Sequence, residues 1–166
     1  MNAPFSNLYL ALHQHLIDKI PELKYLARDI GQLNLTKPSL LYPATLIDFD
    51  RFKFENLSEN VQTASGNVVL KIVVLNDGVE VKSTPDEWRQ KSLSGFELEQ
   101  KVHTALQGFQ PEGFGMLNRC STNTIPRKDN LHVREVIYSI AFEDYSCRPG
   151  FQMTPYRLNL QSDMQV

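Results

Sequence analysis

Leu8, Leu12, Leu16 and Ile20 recur every four residues across 5–20, and this spacing predicts a helix that buries one stripe, with Ser6 as N-cap and Pro21 closing the pattern. A second helix is predicted over 95–107, where Leu98, Val102, Ala105 and Leu106 follow 3.6-residue spacing. There Ser94 and Glu97 form a capping box, Leu93 staples onto Leu98, and Gly108 supplies the left-handed stop. Between the two, Thr84, Pro85, Asp86 and Glu87 describe one short helical turn that carries Trp88.

The remaining periodicity is of two. Residues 43–49 have the β-branched and aromatic content of a short strand, and 61–75 form the clearest strand of the chain. Val68, Leu70, Ile72 and Val74 occupy one of its faces and Val69, Lys71, Val73 and Leu75 the other, so a cover is expected on both sides, from the chain itself or from a neighbouring subunit. The turn signal at 76–78 predicts a hairpin returning over 79–82. A strand is expected within 114–125, then a turn over 126–130. The alternating stretch 131–142 follows, with Val136, Tyr138, Ile140 and Phe142 on a dry face. Beyond Asp144 the periodicity stops.

Strands that come as hairpins rather than as βαβ units read as an α+β fold, a mostly antiparallel sheet packed against an N-terminal helix and a middle helix. The length of 166 residues fits one domain over 1–144, with an extended tail over 145–166. Seventeen basic against nineteen acidic residues, interspersed along the chain, leave no electrostatic footprint for nucleic acid. The residues from Met1 to His15 lack the basic and apolar pattern of a signal peptide, so none is expected, and the most apolar run, 68–75, is interrupted by Lys71 and too short for a membrane helix. Two cysteines outside a C-x-x-C spacing suggest neither a disulfide scaffold nor a zinc knuckle, and the expected setting is a reducing one.

Candidate chemistry is thin. His13 and His15 are two apart on a helix and point in different directions, unlike a zinc pair, and read as surface histidines. Cys120 with His103 or His132 makes a nucleophile and base only if folding joins them, and a buried or idle thiol is the expectation. Asp48 and Asp50 share one side of a strand at a spacing able to hold a metal, yet no third ligand lies near them in sequence, and a solvated strand end is expected. The alternation Arg51, Phe52, Lys53, Phe54 has the composition of a single-strand nucleic-acid platform, and equally that of a strand with aromatics inside and cations outside. Trp88 lies among charges, either tucked in or held out for a partner. No catalytic residue, metal or cofactor is expected.

The order of these elements over 5–145 resembles that of the tail terminator proteins of long-tailed bacteriophages. The resemblance rests on the N-terminal helix, the Pro-bearing strand from Tyr42 to Asp48, the strand and hairpin at 61–82, and the middle helix ending Leu106-Gln107-Gly108. It continues through Leu117-Asn118-Arg119 in the following strand pair and a final Phe142-Glu143-Asp144, while the tail from Tyr145 onward departs from it. The resemblance implies a structural assembly protein rather than an enzyme. Such a protein forms a homo-oligomeric ring, a hexamer, that caps the tail tube, stops its polymerisation and joins the head connector. It also implies a place in the virion tail or neck, built in the host cytoplasm, with no membrane and no sequence-specific nucleic acid as partner. Val69, Val73, Leu75, Phe52, Phe54 and Trp88 are the expected subunit or partner interface. Another neck or tail-completion protein is the nearest alternative, and a small nucleic-acid or ligand-binding module the next.

Overall fold

The computed structural model describes residues 3–76 and 81–150. Two helices lie on one face of a five-stranded sheet whose order is β1-β2-β3-β5-β4. The strands are β1 (Tyr25–Arg28), β2 (Ala44–Ser58), β3 (Val61–Leu75), β4 (Asn118–Ile125) and β5 (Leu131–Asp144). Among the described strands only the β1/β2 pair is parallel. The α+β class expected from the sequence is the observed one.

Helix α1 (Pro4–Lys19) buries Leu8, Ala11, Leu12 and Leu16. Its N-cap is Ala3 rather than Ser6. Pro4 has the fixed φ and missing N–H that suit a first helical position, so the helix begins before the serine and leaves it inside. Helix α2 (Asp86–Ser92) extends the expected single turn, with Pro85 as its N-cap. Helix α3 (Ser94–Leu106) follows directly, and Leu93 is at once the C-cap of α2 and the N-cap of α3. The expected capping box of Ser94 and Glu97 is not made. The Leu93 carbonyl already accepts from the N–H groups of Phe96 and Glu97, at 2.9 and 3.1 Å, which satisfies the first-turn donors without a side chain. Gly108, at φ 76, lies just beyond the helix, as expected of a left-handed stop.

The central strand matches the span read from the sequence, but its partners do not. β2 runs on past Phe49 to Ser58 and turns through residues 59–60 straight into β3, while β5 pairs with the other edge of β3 up to Leu75↔Leu131. Both edges of β3 are therefore occupied, and the hairpin expected over 79–82 has no edge to join. Of that segment 79–80 lie outside the described residues, and Val81 and Lys82 are not in a strand. The expected strand within 114–125 is confined to β4, because 114–117 lead into it by other bonds: Gly115 N–H donates to the Ala141 carbonyl at 2.7 Å and Leu117 N–H to that of Phe109 at 2.9 Å.

Two apolar clusters follow from the alternation. On the helix side Val68, Leu70, Ile72 and Val74 of β3 and Val136, Tyr138, Ile140 and Phe142 of β5 meet Leu8, Leu12 and Leu16 of α1 and Leu98, Val102 and Leu106 of α3. Full burial of each aliphatic side chain contributes about 1.5–3 kcal/mol. On the far side a smaller cluster joins Ala44, Leu46, Val73, Leu131 and Val133 to Leu33, with Leu40 and Tyr42 packed against it. The cover expected over the second face of β3 is thus supplied, around Val73, by the chain itself. A buttress fastens it there: Lys71 Nζ lies 2.5 Å from an Asp29 carboxylate oxygen.

Candidate functional site

The residues singled out in the sequence fall into separate regions. His13 and His15 are not free surface groups. His13 Nε2 lies 3.3 Å from the Leu26 carbonyl oxygen, and His15 Nε2 lies 2.8 Å from that of Ala105 while its ring stacks on Phe109 with centroids 3.7 Å apart. One faces β1 and the other α3, because α1 is gripped on both flanks. Cys120 is exposed on β4, next to the Asn118 carbonyl, rather than buried. His103 instead meets the Tyr138 hydroxyl at 3.4 Å and His132 the edge of Phe96 at 5.5 Å, so each of the three has a different neighbour. Burial, with Arg119 near His103 and Arg134 near His132, holds both imidazoles below the usual histidine range.

Asp48 and Asp50 are exposed on β2. Asp48 accepts the Phe49 N–H at 2.8 Å and Asp50 pairs with Arg51 at 3.2 Å. Among the described residues no three His, Cys, Asp or Glu side chains are grouped as metal ligands. The most enclosed ionic network is one the sequence reading missed. Glu99 of α3 receives Arg134 Nε at 2.5 Å and the Thr122 hydroxyl at 2.7 Å, while Arg134 also donates to Thr124 at 2.7 Å and lies over the Phe96 ring. Burial pushes the Glu99 carboxyl up, but the bonds from Arg134 and Thr122 outweigh it and hold it below the usual range. Glu99 follows Leu98 in the sequence beside the apolar stripe, and only the partner 35 residues away explains it. The network ties α3 to β4 and β5 and presents no reacting geometry.

The six candidate interface residues separate into core and surface. Val73 is fully buried in its own chain and Val69 nearly so. Phe52 is partly buried and packs edge-on against Phe5, centroids 4.8 Å apart, within a cluster that includes Phe49 and Phe142. That fixes its ring inside the fold rather than on a stacking platform. Arg51, at φ 55, takes up the register shift that lets Phe52 and Phe54 both face the helix side. Phe54 lies at the margin of the cluster and is 43% exposed. Trp88 is held out on α2, 56% exposed, with Lys91 Nζ 5.5 Å above its ring.

Leu75 ends β3 beside a groove of about 320 Å³. Tyr42, Pro43, Val74 and Leu98 also line it, and Glu22 and Lys101, which pair with one another, stand at its margin. Leu75 is 44% exposed there, and Leu93 and Phe96 are exposed at the adjoining start of α3. At the opposite end of the sheet the β2/β3 hairpin bears Leu57 exposed near its turn. The described surface therefore offers apolar contacts at both ends of the sheet.

No family model matches the chain, and no curated protein does. Among solved structures it shares its fold with a chain from the virion of a native gene transfer agent particle, with a TM-score of 0.51 at 12% sequence identity, over 87% of this chain and 100% of that one. At that identity the likeness is one of fold.

Proposed function

We propose that this protein is a structural subunit of a phage-like particle, and in finer detail a tail terminator: a ring that caps the tail tube, stops its growth and meets the head connector with its other face. The observation that carries this reading is the likeness of fold along the whole length of a chain taken from a virion. It is supported by a surface with exposed apolar side chains at both ends of the sheet and no grouped metal ligands among the described residues.

A patch at one end of a subunit that docks on a different patch of the next makes a heterologous contact, and such contacts close into a ring when the rotation allows. Leu75, Trp88 and Phe54 are the exposed members of this surface, while Val69, Val73 and Phe52 hold the strands that present Leu75 and Phe54. Assembly takes place in the host cytoplasm and the product resides in the virion tail or neck. Absolute mass by light scattering across a concentration range tests the reading. A closed hexamer has about 114 kDa, six times the 19.0 kDa of the chain, and a monomer at every concentration, alone or with tail tubes, overturns it.

A further inference from the structure

One stretch of the sheet's edge, the second half of β4, lacks the usual protection against pairing. β4 is the last strand of the sheet, and seven of its eight residues are exposed. Natural edges are blunted by Lys, other charges or Pro. Arg119 and a register shift around Cys120 protect the start of β4, but residues 121–125 contain no Pro and no charged side chain. Arg119 N–H is taken by Gln107 at 2.9 Å, but no hydrogen bond among the described residues reaches the outward backbone groups of 121–125. The other side of the sheet differs: its edge strand β1 is four residues long with the Leu26 and Arg28 carbonyls met by His13 and Gln32, and the part of β2 beyond it carries Lys53 and Glu55 and is broken by Arg51 at φ 55.

The same chain contains a segment suited to that edge. No periodicity runs through the tail as a whole, but over six of its residues Tyr156, Leu158 and Leu160 alternate with Arg157, Asn159 and Gln161, a local period of two that would give a strand one apolar face. We propose that residues 156–161 of one copy add as an antiparallel strand to β4 of the next copy. Their apolar row would lie on the sheet face that carries Ile125 and Ile137, and their backbone would satisfy the outward groups of 121–125.

Pairing between copies is favoured by the path of the chain. β5 ends beyond the Asn118 end of β4, since Ser139 pairs with Asn118. An antiparallel partner for β4 must start at the Ile125 end. Within one subunit residues 145–155 would have to travel back along all of β4, whereas a neighbour's edge imposes no such return. Eleven residues reach about 36 Å when extended, enough to leave the subunit. The arm makes the contact heterologous, as ring closure demands. This inference rests on the ring reading above.

The test uses the full chain. In a Cys147→Ser background, cysteine is placed singly at each position from 156 to 161, and the protein is oxidised so that the native Cys120 on β4 can capture it. The expected result is a ladder of interchain disulfides on a non-reducing gel, mapped to Cys120 by mass spectrometry. In parallel, Leu158→Asp combined with Leu160→Asp should lower the solution mass about sixfold with an unchanged circular dichroism spectrum. An intrachain disulfide, or no disulfide at any of the six positions, overturns the arm. A double variant that retains the full ring overturns it as well and leaves the ring reading standing. An unmodified chain that stays monomeric, alone and with tail tubes, removes the ring reading itself.

Discussion

Arg134 Nε lies 2.5 Å from a carboxylate oxygen of Glu99, and the two side chains are only 11% and 9% exposed. A charge pair so enclosed is expensive to split, because removing one partner leaves the other buried without compensation, at a cost of about 3–5 kcal/mol. Glu99→Gln should destabilise the protein by about that amount at pH 7, measured by urea unfolding. The Glu99 carboxyl is held below its ordinary value in the fold, so its contribution is complete above the unfolded-state value and is lost as pH falls through the folded one. The stability difference between wild type and Glu99→Gln should therefore shrink on acidification. A constant difference from pH 7 to pH 3 would show that the pair is not what Glu99 contributes.

Gly66 sits on β3 directly beneath Phe52. A Cβ at this position would come within 2.5 Å of the Phe52 ring and 2.8 Å of the Phe52 Cα, so neither a rotamer change nor a small strand movement alone relieves it. Gly66→Ala is expected to cost about 1–3 kcal/mol by overpacking. Thermal unfolding of Gly66→Ala, with and without Phe52→Ala, checks the cause: the loss caused by Gly66→Ala should be smaller in the Phe52→Ala background, which removes Cγ and the ring but leaves the backbone contact.

Much of this fold is legible in the spacing of apolar residues. Leu8, Leu12 and Leu16 predict α1, and the span of β3 over 61–75 follows from its own apolar run, because both elements are set by what they bury. Pairing is legible only where a turn enforces it. The turn signal at 76–78 suggested a hairpin, yet the tight turn at 59–60 joins β2 to β3 and leaves no free edge. Capping failed for a similar reason. Ser94 has the right neighbours for a box, but α2 arrives so close that the Leu93 backbone does the work. The adjacent Gly95 is required because a Cβ there would meet the His132 ring, a contact between α3 and β5 that no local pattern encodes. Exposure along β3 was half legible: alternation marks Val73 and Leu75 as one face, and tertiary cover decides that only Leu75 reaches the surface.

That difference between Val73 and Leu75 gives a paired prediction. An aspartate at Val73 would place a carboxyl without a partner among Leu33, Ala44 and Leu46, and its burial, charged or protonated, together with the lost apolar contact removes a large part of the stability of an ordinary domain, so Val73→Asp should fail to fold. Leu75→Asp can direct its carboxylate to solvent at the groove and should keep a wild-type circular dichroism spectrum, with a stability change within about 1 kcal/mol. If Leu75 belongs to the subunit contact, the folded variant should show a smaller solution mass by light scattering than wild type at equal concentration. An unchanged mass would remove Leu75 from that contact.

The buttress on the far face of the sheet makes a prediction of opposite sign. Burial pushes the Asp29 carboxyl up, but Lys71 at 2.5 Å and the Gly31 N–H at 2.9 Å outweigh it and hold the group below its usual range. In wild type the carboxylate therefore stabilises the fold above the unfolded-state value and ceases to do so as pH falls through the folded value. Lys71→Met keeps the aliphatic stem and removes the cation. The Asp29 side chain, 8% exposed, is then left with burial as its main influence, and its folded-state pKa should rise above the unfolded one. A group shifted upward contributes stability below the unfolded-state value and loses it as pH rises through the folded one. Lys71→Met should thus cost about 2 kcal/mol at neutral pH and recover a measurable part of that loss on titration toward pH 4, where the buried carboxyl takes up a proton. Urea unfolding of both proteins from pH 7 to pH 4 reads the slopes directly. If the variant instead loses stability in parallel with wild type, Asp29 has found another cation or water, and the ion pair is not what fastens the segment from Asp29 to Pro43 over Val73 and Val133.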